Sequence, residues 1–304
     1  MENQKVNFIE AMGKRNPSEM FENLERYVDM VIRRIQPSVL LTGAPGMGKT
    51  YLVTKALKEK GFDNGNQYII IKGRTTGPGL YRALYENKGK IIVFDDCDSV
   101  FKDADGVNLL KAALDSYDER HISFISSKPM KDGDGMYIPS TFKFTGSVIF
   151  ISNLNQKQID SAVRSRSFTV DIDLTPEQLL QRMEDKLEFV EPKVPLKDRR
   201  LALKALKEIH RKFEGVELNF RSLIKAIRIK QTGFVDWHMM VAEQCIDPKF
   251  RSQRNNKTGE SSVPTKSFPT KAELVAAKAK LGTWSAVCKK LNVSSNKRLK
   301  IMNS

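Results

Sequence analysis

The sequence predicts an α/β fold in which a parallel, doubly wound sheet is sandwiched by helices and an all-helical region follows it. Three observations carry this expectation. Short apolar runs alternate with stretches of helical period from residue 38 to residue 174. The runs Ile91–Phe94 and Ser147–Ser152 are almost wholly apolar, as strands buried on both faces are. After residue 174 no further strand pattern occurs.

Residues 17–36 place Met20, Phe21, Leu24, Tyr27, Val28, Val31, Ile32 and Ile35 at helical spacing, and Pro37 stops that helix. Val39–Thr42 is a short strand, and a glycine-rich loop joins it to a helix that runs through Lys60 and is capped by Gly61. Strands are expected at Tyr68–Lys72, Ile91–Phe94, Ser147–Ser152 and Ser167–Ile172, with helices at Leu80–Glu86 and Val107–Tyr117. Thr175-Pro176-Glu177-Gln178 is a capping box with proline at the first helical position, and three or four amphipathic helices follow to about residue 247. Residues 251–268 are rich in Ser, Thr, Asn and Lys and contain Pro264, with Pro269 directly after, so they read as a flexible linker. Helical pattern returns over 270–302. The expected organisation is an α/β region at 1–174, a helical lid at 175–250, the linker, and a small all-α module at 269–304.

The 304 residues are 40% apolar and 29% charged, which excludes a collagen-like or wholly disordered chain. No run of 18 apolar residues exists, so no membrane partner is expected, and the first 20 residues lack the apolar segment of a secretory signal. Cys97, Cys245 and Cys288 are far apart and odd in number, which fits a reducing, cytoplasmic setting better than a disulfide framework or a zinc site. The three histidines have no metal-like spacing. Of the net charge of +15, +10 sits in residues 251–304. A basic tail on a nearly balanced body points to an anionic partner, most often nucleic acid, or to a solubilising segment.

Gly43-Ala44-Pro45-Gly46-Met47-Gly48-Lys49-Thr50 is a complete P-loop between a strand and a helix. Glycines let backbone N–H groups wrap a phosphate, and the helix that follows turns its positive end to the anion. The expected ligands are ATP and Mg²⁺. Lys49 reaches the β- and γ-phosphates, Thr50 holds Mg²⁺ through its hydroxyl, and Tyr51 completes the nucleotide-binding segment. Ile91–Asp96 is the partner motif, an apolar strand ending in acids. Asp95 is the acid on the metal side, and Asp96 follows where a water-polarising carboxylate sits.

In this order the motifs resemble those of the AAA+ ATPases over residues 17–250. Ile151-Ser152-Asn153, ending an apolar strand, is similar to the family's sensor 1, with Asn153 reading the γ-phosphate. Asp160–Arg166 resembles the segment that carries the arginine finger, for which Arg166 and Arg164 are both candidates. Asn219-Phe220-Arg221-Ser222 resembles sensor 2, with Arg221 on the nucleotide. The wording of Phe94–Phe101 (FDDCDSVF) and Phe150–Ser167 (FISNLNQKQIDSAVRSRS) looks like AAA+ proteins of tailed bacteriophages. The family usually carries glutamate where this chain has Asp96. The resemblance implies an ATP hydrolase that works as a homo-oligomer, a ring or spiral of the hexameric kind, in the host cytoplasm if phage-encoded.

Gly73–Gly79 is glycine-rich and basic, and in AAA+ rings this connection often faces the central pore, where Arg74 can touch a polymer. Lys128–Gly135 is expected to be a second mobile loop. In the tail, helical patterns at 271–281, 282–291 and 296–302 follow the order of a helix-turn-helix, with Trp284 and Leu291 as core. This resembles small DNA-binding modules and turns Lys297, Arg298 and Lys300 to DNA. The alternative is a module that docks a protein client. The functional expectation is an ATPase coupled to DNA transactions such as loading or remodelling in phage-type replication, recombination or transposition. A protein remodeller and a nucleotide-gated scaffold are the rivals.

Overall fold

The computed structural model describes residues 17–117 and 119–252, together with 274–275, 277–279 and 283–284. The chain divides into two compact units, Met1–Asp247 and Pro248–Ser304.

In the first unit, helix α1 (Pro17–Ile32) precedes strand β1 (Ser38–Gly43) and helix α2 (Lys49–Glu59). Then come β2 (Tyr68–Lys72), α3 (Gly77–Glu86), β3 (Ile91–Asp95) and α4 (Ala104–Ala113). A hairpin, β4 (Arg120–Ser123) and β5 (Thr141–Phe144), leads to β6 (Ser147–Ile151), α5 (Ser161–Ser165) and β7 (Phe168–Ile172). The helical region holds α6 (Pro176–Asp185), α7 (Leu196–Lys212), α8 (Phe220–Gln231) and α9 (Trp237–Cys245). The main sheet has the order β2-β3-β6-β1-β7, and every pairing in it is parallel. The expected α/β class and all five expected strands of this sheet are present.

Strands β1, β2, β3 and β6 divide their side chains between two cores, as the period of two requires, while the edge strand β7 turns its apolar side chains to one of them only. Val39, Leu41, Val93, Ile149, Ile151 and Val170 face one cluster, which continues through α1 and α2 into Leu179, Met183, Leu206, Leu223 and Ile227 of the helical region. Leu40, Ile92, Phe94, Val148 and Phe150 face the other, under α3, α4 and the hairpin. The helical region therefore shares an apolar core with one face of the sheet.

Several details differ from expectation. Helix α1 ends at Ile32, before Pro37, and Arg34 takes a left-handed φ of 60° and donates to the carbonyls of Thr145 and Gly89. Helix α3 begins earlier, at Gly77, because the Thr76 hydroxyl accepts from the Gly79 N–H as a cap. Helix α4 starts at Ala104 and ends at Ala113, with the Asp103 carboxylate accepting from the Gly106 N–H. The β4–β5 hairpin is not foreseen from the sequence, since its strands are four residues long and mostly polar, too short for a periodic signal. The segment 128–135 forms the far part of that hairpin, where the Asp132 carboxylate accepts from the N–H groups of Asp134 and Met136. Ile125, Met136 and Tyr137 stand exposed there.

In the second unit, α10 (Pro248–Ser252) is helical, Leu274 is buried, and the Lys278 ammonium lies 5.7 Å from the centre of the Trp284 ring. The expected linker at 251–268 beyond residue 252, the helix-turn-helix as a whole, and Lys297, Arg298 and Lys300 lie outside the described residues.

Candidate nucleotide site

The site lies at the C-terminal end of the sheet, where β1 runs into the loop 43–48 and α2 begins. Gly48 caps α2 with φ 87°, a conformation that side chains other than glycine rarely adopt. Gly46 answers a different demand. A Cβ on it would lie 2.8 Å from the side chain of Asn219, and its carbonyl accepts the Phe220 N–H at 2.9 Å. The P-loop is thus packed against the start of α8. No acidic residue stands in the first turn of α2, which leaves the positive end of the helix uncompensated there.

Lys49 is buried, and its ammonium donates to the carbonyls of Gly43 at 2.6 Å and Ala44 at 2.9 Å and to Asn153 Oδ1 at 3.0 Å. Burial lowers its pKa from the ordinary lysine value, while the carboxylates of Asp96, Asp95 and Asp98 oppose that fall and Arg221 adds to it. The other end of the Asn153 amide donates to Asp96 Oδ1 at 2.7 Å. One asparagine therefore joins the P-loop lysine to the acid that follows β3.

Asp96 has φ 57°, and its N–H donates to the Ile151 carbonyl at 3.0 Å. Aspartate and asparagine tolerate the left-handed region better than longer side chains do, which gives a physical reason for aspartate at this turn. Asp95 is buried, accepting the Thr50 hydroxyl at 2.9 Å on Oδ1 and pairing through Oδ2 with the Lys72 ammonium at 2.8 Å. A hydroxyl and a carboxylate side by side beside a phosphate loop fit Mg²⁺, which takes one or two protein oxygens and fills its shell with phosphate and water. Among the described residues no group of three or more His, Cys, Asp or Glu could hold a metal by itself.

The groups that support these residues were only partly legible. Ser152 is fully buried and donates to Asp98 Oδ1 at 2.5 Å, while its oxygen accepts the Leu154 N–H, so the turn carrying Asn153 is pinned to the segment after β3. The Cys97 thiol donates to the Ile71 carbonyl at 3.3 Å, and burial raises its pKa to about 11, which suits a small packing residue. Lys72 carries no motif signal, and Asp98 and Asn219 belong to the motifs named above without a role of their own having been expected. Lys72 meets Asp95 because β2 and β3 pair in a register that sets those two residues opposite each other.

The remaining expected residues stand apart. Tyr51 follows the loop with an exposed ring. Arg221 sits exposed in the first turn of α8, near enough for its charge to act on Lys49. Arg74 is exposed in the loop after β2. Arg164 and Arg166 follow one another near the start of β1, where the Arg166 carbonyl accepts from Gln36 and Ser38. Their guanidinium groups donate to the carbonyls of Ile159 and Ala162. Lys49, Thr50, Asp95, Asp96 and Asn153 therefore come together, and the two arginines do not join them.

Residues 39–189 match the model of the ATPase family associated with various cellular activities (AAA). The chain is 34% identical over 161 residues to an uncharacterized 36.7 kDa protein encoded in the nrdC-mobD intergenic region of Enterobacteria phage T4, a match spanning 49% of each chain. The match thus covers about half the length of that relative. Solved structures of Thermotoga maritima RuvB, one a point mutant and one described as a Holliday junction branch migration motor, align loosely over 94% of this chain and 86% and 85% of their own, at 13% and 14% identity with TM-scores of 0.49 and 0.44. The family match runs from the second residue of β1 past the last strand and encloses the P-loop, both acids, Asn153 and both arginines: through this segment, about half of the chain, the sequence matches the AAA family of ATPases.

Proposed function

We propose that this chain binds ATP with Mg²⁺, hydrolyses it as a homo-oligomer, and couples the cycle to DNA. The observation that carries the first part is the bridge from Lys49 through Asn153 to Asp96. Lys49 meets the β/γ-phosphate charge, Thr50 and Asp95 hold the metal, and Asp96 orients the attacking water. Mg²⁺, when bound, offsets charge on the phosphates. Asn153 keeps the lysine and the acid in one geometry, so phosphate contact at Lys49 is felt at Asp96.

The oligomer is supported by sheet polarity. Arg164 and Arg166 lie by the start of β1 and the P-loop lies at its end. The length of this strand separates the two ends by roughly 17 Å, beyond the reach of an arginine side chain to its own site. Either arginine acts as a finger on the next subunit, the arrangement that a ring or spiral supplies.

Asp96→Asn tests the water role. It suits the same backbone conformation, keeps the size of the side chain and removes the charge. Nucleotide affinity should stay within about twofold, while turnover falls on the order of 10²-fold or more, as loss of a positioned base does. Normal turnover would remove Asp96 from the chemistry.

For DNA, the support is the net +10 of residues 251–304 and the cluster Lys297, Arg298 and Lys300. Replacing these three with alanine in the full chain should weaken duplex binding and flatten its salt dependence, by roughly 0.9 log units per tenfold salt for each phosphate no longer neutralised. Binding measured from about 50 to about 200 mM salt checks this, and an unchanged slope would make the tail a docking or solubilising segment. A role in phage replication, recombination or transposition inside the host cytoplasm fits this reading. A second reading, an ATP-driven protein remodeller, is favoured by the exposed Ile125, Met136 and Tyr137 on the hairpin. ATPase rates with and without single- and double-stranded DNA separate the two: stimulation by DNA supports the first.

A further inference from the structure

We propose that Lys72 is a positioning residue that competes with Mg²⁺ for Asp95 and so sets how much Mg²⁺ the site requires. The inference deepens the proposed function and rests on its assignment of the metal to Thr50 and Asp95. Asp95 is a buried carboxylate with two partners, the Thr50 hydroxyl on one oxygen and the Lys72 ammonium on the other. A divalent cation placed between Thr50 and the phosphates meets a carboxylate that is already paired with a full positive charge. Two cations at one carboxylate repel each other, and the effect is strong where water is scarce.

The geometry decides which of the two gives way. Asp95 ends a strand paired on both sides, and the segment after it is fixed. The Cys97 thiol donates to the Ile71 carbonyl, and Ser99 Oγ both accepts the Thr75 N–H at 3.1 Å and donates to the Thr75 carbonyl at 3.3 Å. The backbone at the root of the loop after β2 is therefore held. The side chain of Lys72 is 65% exposed and sits on a long stem, so its ammonium can swing to water at little cost. Without the metal, Lys72 neutralises a buried carboxylate that has Asp96 and Asp98 as sequence neighbours. With the metal it leaves, and the ion pair it gives up is subtracted from metal affinity.

The test titrates Mg²⁺ against binding of a fluorescent, non-hydrolysable ATP analogue to the full chain, for wild type, Lys72→Gln and Lys72→Arg. The half-saturating Mg²⁺ concentration should fall about two- to fivefold in Lys72→Gln, the range that a largely exposed ion pair supports. Lys72→Arg keeps the charge and should keep the wild-type midpoint. In EDTA the Gln variant should bind the analogue no better than wild type, since the gain acts through the metal; better binding there overturns the proposal. An equal or higher midpoint in Lys72→Gln also overturns it and leaves the metal assignment standing. Wild-type binding that does not depend on Mg²⁺ overturns both.

Discussion

Lys49→Ala is expected to lose ATP binding by about a hundredfold, the roughly 3 kcal/mol that a charge-assisted hydrogen bond can contribute. The side chain is buried under the loop with its ammonium on two loop carbonyls and on Asn153, so it is in place before any phosphate arrives. The neighbouring cations are poor substitutes: Lys72 is turned to Asp95, and Arg221 acts on the site only from the exposed first turn of α8. Turnover should fall with binding, because Asn153 loses the donor that holds it against Asp96. Titration with a fluorescent ATP analogue reads the first effect, and thermal unfolding checks that the sheet, whose core is elsewhere, stays folded. Affinity close to wild type would place the phosphate site away from this loop.

Arg166→Ala is expected to bind ATP within a few-fold of wild type and to hydrolyse it about 10³-fold more slowly, the lower range for loss of an arginine finger. The reasoning is positional, since Arg166 stands by the start of β1 while Lys49 stands past its end. Mixing Arg166→Ala with Lys49→Ala should restore part of the rate, because one protein brings an intact P-loop and the other an intact arginine. Arg164→Ala, tested in the same way, decides between the two residues. Mixed oligomers without recovery for either arginine would exclude a role across subunits.

The fold was legible where chemistry and periodicity coincide. Four of the five strands of the main sheet are short, mainly apolar runs, β7 alternates apolar and polar residues over five positions, and the P-loop could be placed because it must sit between a strand and a helix. The site was legible where a side chain belongs to a motif, as Lys49, Thr50, Asp95, Asp96 and Asn153 do. It was opaque where contact depends on register or on tertiary approach. Lys72 reaches Asp95 only through the pairing of β2 with β3, and Asn219 lies against Gly46 only because α8 folds back over the loop. The hairpin was missed for a third reason. Its strands are short and interleave polar residues with Ile122, Phe142 and Phe144, which are buried in the core under α3 and α4 rather than announced by a run.

On the proposed trans role, the opposite placement of the P-loop and the two arginines gives each subunit two unlike faces, one offering an arginine and one receiving it. Contacts of that kind are heterologous: each copy adds to the last in the same sense, and the assembly either closes on itself or grows as a helix. On the proposed trans role, an open chain always carries one terminal site with no arginine supplied, whereas a closed ring carries none. Short assemblies are then penalised most, since the idle site is a larger share of the whole, and activity per subunit should climb with protein concentration until closure or long growth makes the end negligible.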